Sequence, residues 1–152
     1  MTTMGSRAGL WMLLAVAASA AGQSGDANIR VDGAWARRAP MLKGGDSKSG
    51  SGNGAVYAAL ANTGREPDAL VAAASDAAGV VEIHESYLES GMMKMRPLTK
   101  IDVPAGKTVE MKPGSYHIML LNLTRDLEAG QVVQLTLVFQ KAGKIPVTAQ
   151  VK

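Results

Sequence analysis

Apolar side chains recur at every second position through much of the chain. Val133, Leu135, Leu137 and Phe139 share one face of residues 132–139, and Ile145, Val147, Ala149 and Val151 alternate with other residues to the end. A period of two is that of a strand with one face buried. The same reading predicts strands over 29–37, 54–62, 80–86, 92–98, 101–103, 107–111 and 115–123. In the second of these Val56, Ala58 and Leu60 share a face; in the third Val81 and Ile83 point one way, Glu82 and His84 the other. Turn residues separate the runs: Asn62-Thr63-Gly64, Glu89-Ser90-Gly91, Pro104-Ala105-Gly106, Gly130 and Gly143. Pro113-Gly114 suits the two central positions of a type II turn. Residues 68–78 are rich in alanine and could turn helically, but they are few and flanked by strands, so a strand with a short helical turn is expected. Many short alternating strands predict an all-β antiparallel sandwich or barrel.

The first twenty residues follow a different pattern. Arg7 precedes an apolar run over 8–18, closed by Ala18-Ser19-Ala20. A basic start, a short apolar stretch and small residues at the end describe a secretory signal peptide over 1–20. The run falls short of the roughly 20 apolar residues of a membrane span; an uncleaved anchor is the competing reading. Residues 21–28 then form a short flexible segment, and 29–152 one domain, in keeping with the length. Residues 43–53 are polar and glycine-rich, and too little chain precedes them for a domain linker; they read as a loop.

Composition narrows the chemistry. There is no cysteine. That excludes disulfides, a lipid-modified cysteine and every thiolate site, zinc fingers and blue-copper centres among them. Sixteen lysines and arginines against 13 carboxylates give a net charge of +3, with both signs interspersed. Only Arg37-Arg38 and residues 43–48 are locally basic, and aromatic residues are few. A nucleic-acid surface would need a clustered basic face with stacking rings.

The chain has only two histidines. His117 stands two residues before Met119, so on a strand both leave the same face. His84 lies on the polar side of its own strand. Past the next turn comes Met92-Met93-Lys94-Met95, in which Met93 and Met95 share a face. Met92, Met111 and Met119 could each be core filler, and Met41 an exposed loop residue. Thioether sulfur is soft and neutral; it suits Cu(I), and poorly suits zinc, magnesium or calcium. Methionine also persists in an oxidising compartment where free cysteine would pair.

The sequence resembles the PCu(A)C copper chaperones of the bacterial periplasm. Their motif is a histidine, ten residues, a methionine, twenty-one residues and His-x-Met, matched here by His84, Met95, His117 and Met119. The surrounding blocks are similar too: Ala34-Trp35-Ala36-Arg37, Gly54-Ala55-Val56-Tyr57, Val81-Glu82-Ile83-His84, Met95-Arg96-Pro97, Lys112-Pro113-Gly114-Ser115-Tyr116-His117 and Lys141-Ala142-Gly143. The resemblance covers about 29–151. It implies a cupredoxin-like antiparallel β-sandwich of Greek-key type, with those four residues holding one Cu(I) near one end. It also implies a monomeric periplasmic carrier, not an enzyme, that delivers copper toward the CuA centre of cytochrome c oxidase, with subunit II or a Sco-type protein as acceptor. The departures are a longer glycine-rich loop, Glu85 after the first histidine and Ser115 in the Pro-Gly turn; the His/Met-rich tail of some members is missing. The alternatives are a copper buffering or resistance protein with the same site, a metal-free binding module, and an electron carrier, which would need a stable Cu(II) state.

Overall fold

The computed structural model describes residues 28–40 and 52–152. The expected signal segment, residues 21–27, Met41 and nearly all of the 43–53 loop lie outside the described residues. The described chain forms β1 (Ile29–Ala36), β2 (Gly54–Asn62), β3 (Asp68–Ala74), β4 (Ala78–Glu89), β5 (Met92–Leu98), β6 (Ile101–Val103), β7 (Thr108–Glu110), β8 (Tyr116–Leu123), β9 (Val132–Phe139) and β10 (Gly143–Val151). No helix occurs among the described residues, so no helix there is long and apolar enough to cross a membrane.

Hydrogen bonding runs continuously in the order β5-β4-β8-β2-β1-β10-β9-β3-β6, with β7 beside β2. Neighbours are antiparallel except β1 and β10, which run parallel where Trp35 meets Gln150. The expected sandwich is therefore one sheet whose two halves cover a common core. Alternation supplies that core: Val56 and Leu60 of β2, Ile83 of β4, Ile118 and Leu120 of β8 meet Leu70 of β3, Ile101 and Val103 of β6, and Val133, Leu137 and Phe139 of β9. In β1 the register shifts between Asp32 and Trp35, at Gly33, whose φ of +61° a side chain would disfavour.

Two buried polar residues fasten the loops at the β3 end. Asn62 donates to the carbonyls of Glu66 (2.8 Å) and Val103 (3.0 Å) and accepts the Gly64 N–H at 2.9 Å. The Asp68 carboxylate accepts the N–H groups of Ala69, Lys141 and Ala142 at 2.7–2.9 Å, clamping the turn between β9 and β10. Buried polar groups satisfied in this way stabilise; left unpaired they would cost more than they contribute.

Two expectations are corrected. The helical turn in 68–78 does not form: Ala69 and Leu70 pair with β6 and β9, and a turn at Asp76 and Ala77 leads straight into β4. Pairing and burial there outweigh alanine's helix propensity. The strand expected over 80–86 runs from Ala78 to Glu89, because β5 continues to pair with it as far as Met92↔Glu89.

Candidate metal centre

In the β4–β8 ladder His84 stands directly opposite His117, and Glu82 opposite Met119. In the β4–β5 ladder Met95 stands opposite Ser86 and Met93 opposite Leu88. Opposed residues project to the same side of a sheet, as do residues two apart. The intervening Ile83, Ile118 and Leu120 fill the core. His84, Met95, His117 and Met119 are therefore brought to one face, the outer face of the sheet, from three adjacent strands. The imidazole centroids are 5.7 Å apart. Tyr57 packs beside His117 at 6.1 Å, with Trp35 behind it at 4.7 Å.

A cleft of about 350 Å³ opens on this face; His117, Met119, Met93 and Met95 line it together with Arg37, Pro113 and Gly114, whereas His84 is not part of its lining. Gly114 has φ +84° and the Ser115 N–H bonds back to the Lys112 carbonyl at 3.0 Å. This is the type II turn expected of Pro113-Gly114, and it starts β8 so that His117 turns outward beneath the cleft.

Hydrogen bonds identify the free nitrogens. His84 Nε2 lies 2.7 Å from Glu82 Oε2; with the proton on Nε2, donated to that carboxylate, Nδ1 keeps its lone pair. His84 Nδ1 is buried and has no hydrogen-bond partner. An orphaned buried acceptor is uncommon and costly, and here it is on the face shared with a second histidine. His117 Nδ1 makes a long contact, 3.4 Å, to the Ser115 carbonyl, which leaves Nε2 available. Burial pushes His117 below the ordinary histidine value of 6.5, with smaller contributions in the same direction from His84 and Arg37 against an opposing one from the Ser115 carbonyl. A neutral imidazole is the metal-binding form. Among the described residues no three His, Cys, Asp or Glu side chains gather to hold an ion. Two imidazoles beside thioethers form a soft, uncharged donor set that fits a monovalent soft cation.

Two features escaped the sequence reading. Glu82 was legible as a neighbour of His84 on one face, but its hydrogen bond was not. Met92 is not core filler: it is 65% exposed, on the side of β5 away from the cleft, whereas Met111 is buried as filler would be.

Comparison with solved structures defines the class of fold. The copper-bound PCuAC domain from PmoF2 superposes with a TM-score of 0.62 at 23% identity, over 82% of this chain and 92% of that domain. The solution structure of CuI-DR1885 from Deinococcus radiodurans superposes with a TM-score of 0.52 at 28% identity, over 78% of this chain and 76% of that one. The protein has the cupredoxin-like β fold of PCuAC domains. Residues 29–151 match the family described as "Putative lipoprotein LpqE-like", and the chain belongs to this LpqE-like family. Its relative "Putative lipoprotein Lxx21020" of Leifsonia xyli subsp. xyli is 34% identical over 140 residues, 91% of this chain and 78% of the relative.

Proposed function

We propose that the protein is a periplasmic Cu(I) carrier that holds one copper ion on His84, Met95, His117 and Met119. It passes the ion toward the CuA centre of cytochrome c oxidase, to subunit II or a Sco-type protein. The observation that carries the reading is the buried, unpartnered His84 Nδ1 on the face where His117, Met119 and Met95 meet. Likeness to the copper-bound PmoF2 domain supports the fold that such a site needs, and likeness to CuI-DR1885 supports copper in its monovalent state. Four neutral ligands leave no open position for a substrate, which fits cargo better than catalysis. Export is supported by the signal-like pattern of residues 1–20 and by the lipoprotein name of the Leifsonia relative.

The test is a Cu(I) titration of the mature protein against bathocuproine disulfonate, with X-ray absorption on the loaded form. One Cu(I) with two nitrogen and two sulfur neighbours is expected, and Met95→Ala and Met119→Ala should each weaken binding. Two tight copper ions per chain, or zinc bound equally well, would refute the site. Copper appearing on an isolated CuA domain after mixing tests delivery; retention by this protein would favour a buffering role.

A further inference from the structure

We infer that Met93 is an exchange ligand: a third thioether, at the mouth of the site, that takes Cu(I) from the resting set and presents it to an acceptor. The inference rests on the carrier reading above. Met93 and Met95 point to the same side of β5 and line the same cleft as His117 and Met119. The donors differ steeply in accessibility. His117 is 3% exposed, whereas Met95 is 55% and Met93 56% exposed; the His84 side chain is 13% exposed. Met93 also reaches across the opening: its methyl carbon lies 4.0 Å from where a Cβ on Gly114 would stand. It thus spans from the β4–β5 hairpin to the turn that starts β8.

The cleft of about 350 Å³ is far larger than one ion requires; a water's share of liquid volume is roughly 30 Å³. The site therefore has room for an incoming donor beside the copper. An ion seated against His117 is nevertheless out of reach of a donor fixed on another folded protein. A tethered thioether inside the cleft solves this. The Cu–S bond to Met93 forms as a Cu–N bond to one imidazole breaks. Copper stays monovalent, no electron moves, and the thioether needs no deprotonation before it binds. The copper then rests on Met93, Met95, Met119 and the remaining imidazole, with Met93 and Met95 exposed at the mouth, where an acceptor's ligands replace the remaining donors one at a time, each new bond forming as an old one breaks. As an intramolecular ligand Met93 acts at an effective concentration of about millimolar, so against an acceptor at about a tenth of that or less its removal should slow release about tenfold or more.

Met93→Leu keeps size and apolarity and removes the sulfur donor. Met92→Leu is the control, since Met92 is as exposed but faces away. Both are measured as the Cu(I)-loaded mature protein: equilibrium affinity by competition, and release rate by stopped-flow transfer to excess bathocuproine disulfonate. Met93→Leu should hold Cu(I) with nearly wild-type affinity yet release it about tenfold or more slowly, and Met92→Leu should match wild type in both. A wild type that binds Cu(I) while Met93→Leu releases at the same rate overturns the exchange role alone. So does a loss of affinity in Met93→Leu as large as that in Met119→Leu, which would make Met93 a resident ligand. A wild type that retains no Cu(I) overturns the carrier reading and this one with it.

Discussion

Replacing Glu82 tests which nitrogen of His84 meets the metal. The carboxylate accepts from His84 Nε2 at 2.7 Å and does not itself line the cleft, so its expected effect on copper is exerted through the ring. It fixes the tautomer with Nδ1 unprotonated and holds the ring's orientation. Removing such an outer partner typically lowers metal affinity about 10- to 100-fold, or about 1.4–2.7 kcal/mol. Glu82 is partly exposed, with 41% of its side chain accessible, so water can replace part of the lost bond. Glu82→Ala should therefore fall at the lower end, about tenfold weaker for Cu(I). Glu82→Gln keeps an acceptor oxygen but loses the charge; its smaller loss isolates the electrostatic share from the orienting one. Affinity is read by chelator competition at pH 7.5, and the metal-bound nitrogen by long-range ¹⁵N–¹H NMR of the imidazoles before and after loading. Nε2 should keep its proton and Nδ1 should shift on metal binding. Copper on Nε2, or an unchanged affinity in Glu82→Ala, would refute the reasoning.

Two further predictions concern pH and the core. Because His117 is held below 6.5 by burial, the unfolded chain takes a proton near pH 6.5 that the folded chain resists. The apoprotein should thus be fully stable above that pH and lose stability as pH falls from about 6.5 toward the lowered value. Urea unfolding at pH 7.5 and 5.5 should show this loss, and His117→Gln should show less; equal losses would place its source elsewhere. Cu(I) affinity should also fall with acidity between pH 8 and pH 5, less steeply in His84→Met, and identical slopes would remove His84 from the ligand set. Phe139→Ala empties a fully enclosed position and should cost about 3–5 kcal/mol in urea unfolding, with Cu(I) affinity of the folded protein unchanged; a parallel loss of affinity would show that core and site are coupled.

Alternation made most strands legible, and Gly54–Asn62 has the bounds its pattern predicts, because each buried strand repeats its own signal locally. The parallel contact between β1 and β10 was not legible. It joins opposite ends of the described chain, and nothing in either segment's periodicity names its partner. The same limit explains β4: its extension past Ser86 depends on pairing with β5, not on its own pattern. At the site, the likeness of His84, Met95, His117 and Met119 to a spaced motif was visible at once, and strand geometry brings all four to one face. The Glu82 bond, the packing of Tyr57 against His117 and the place of Met93 over the turn at Gly114 depend on register across strands, which sequence spacing does not encode.

The side chains of His84, Met95, His117 and Met119 hang from the outside of a sheet whose inside is complete without them. None of those four side chains belongs to the hydrophobic cluster; its Ile83, Ile118 and Leu120 alternate with His84, His117 and Met119, and its other residues lie further along β4 and β8, on other strands and in loops. A zinc finger, by contrast, has too little core and is unfolded until its metal arrives. Here folding and loading are separate events in time. On the carrier reading proposed above, the chain finishes folding in a copper-free setting, waits empty, fills, and empties again without passing through an unfolded state, so its working life spans many cargo cycles.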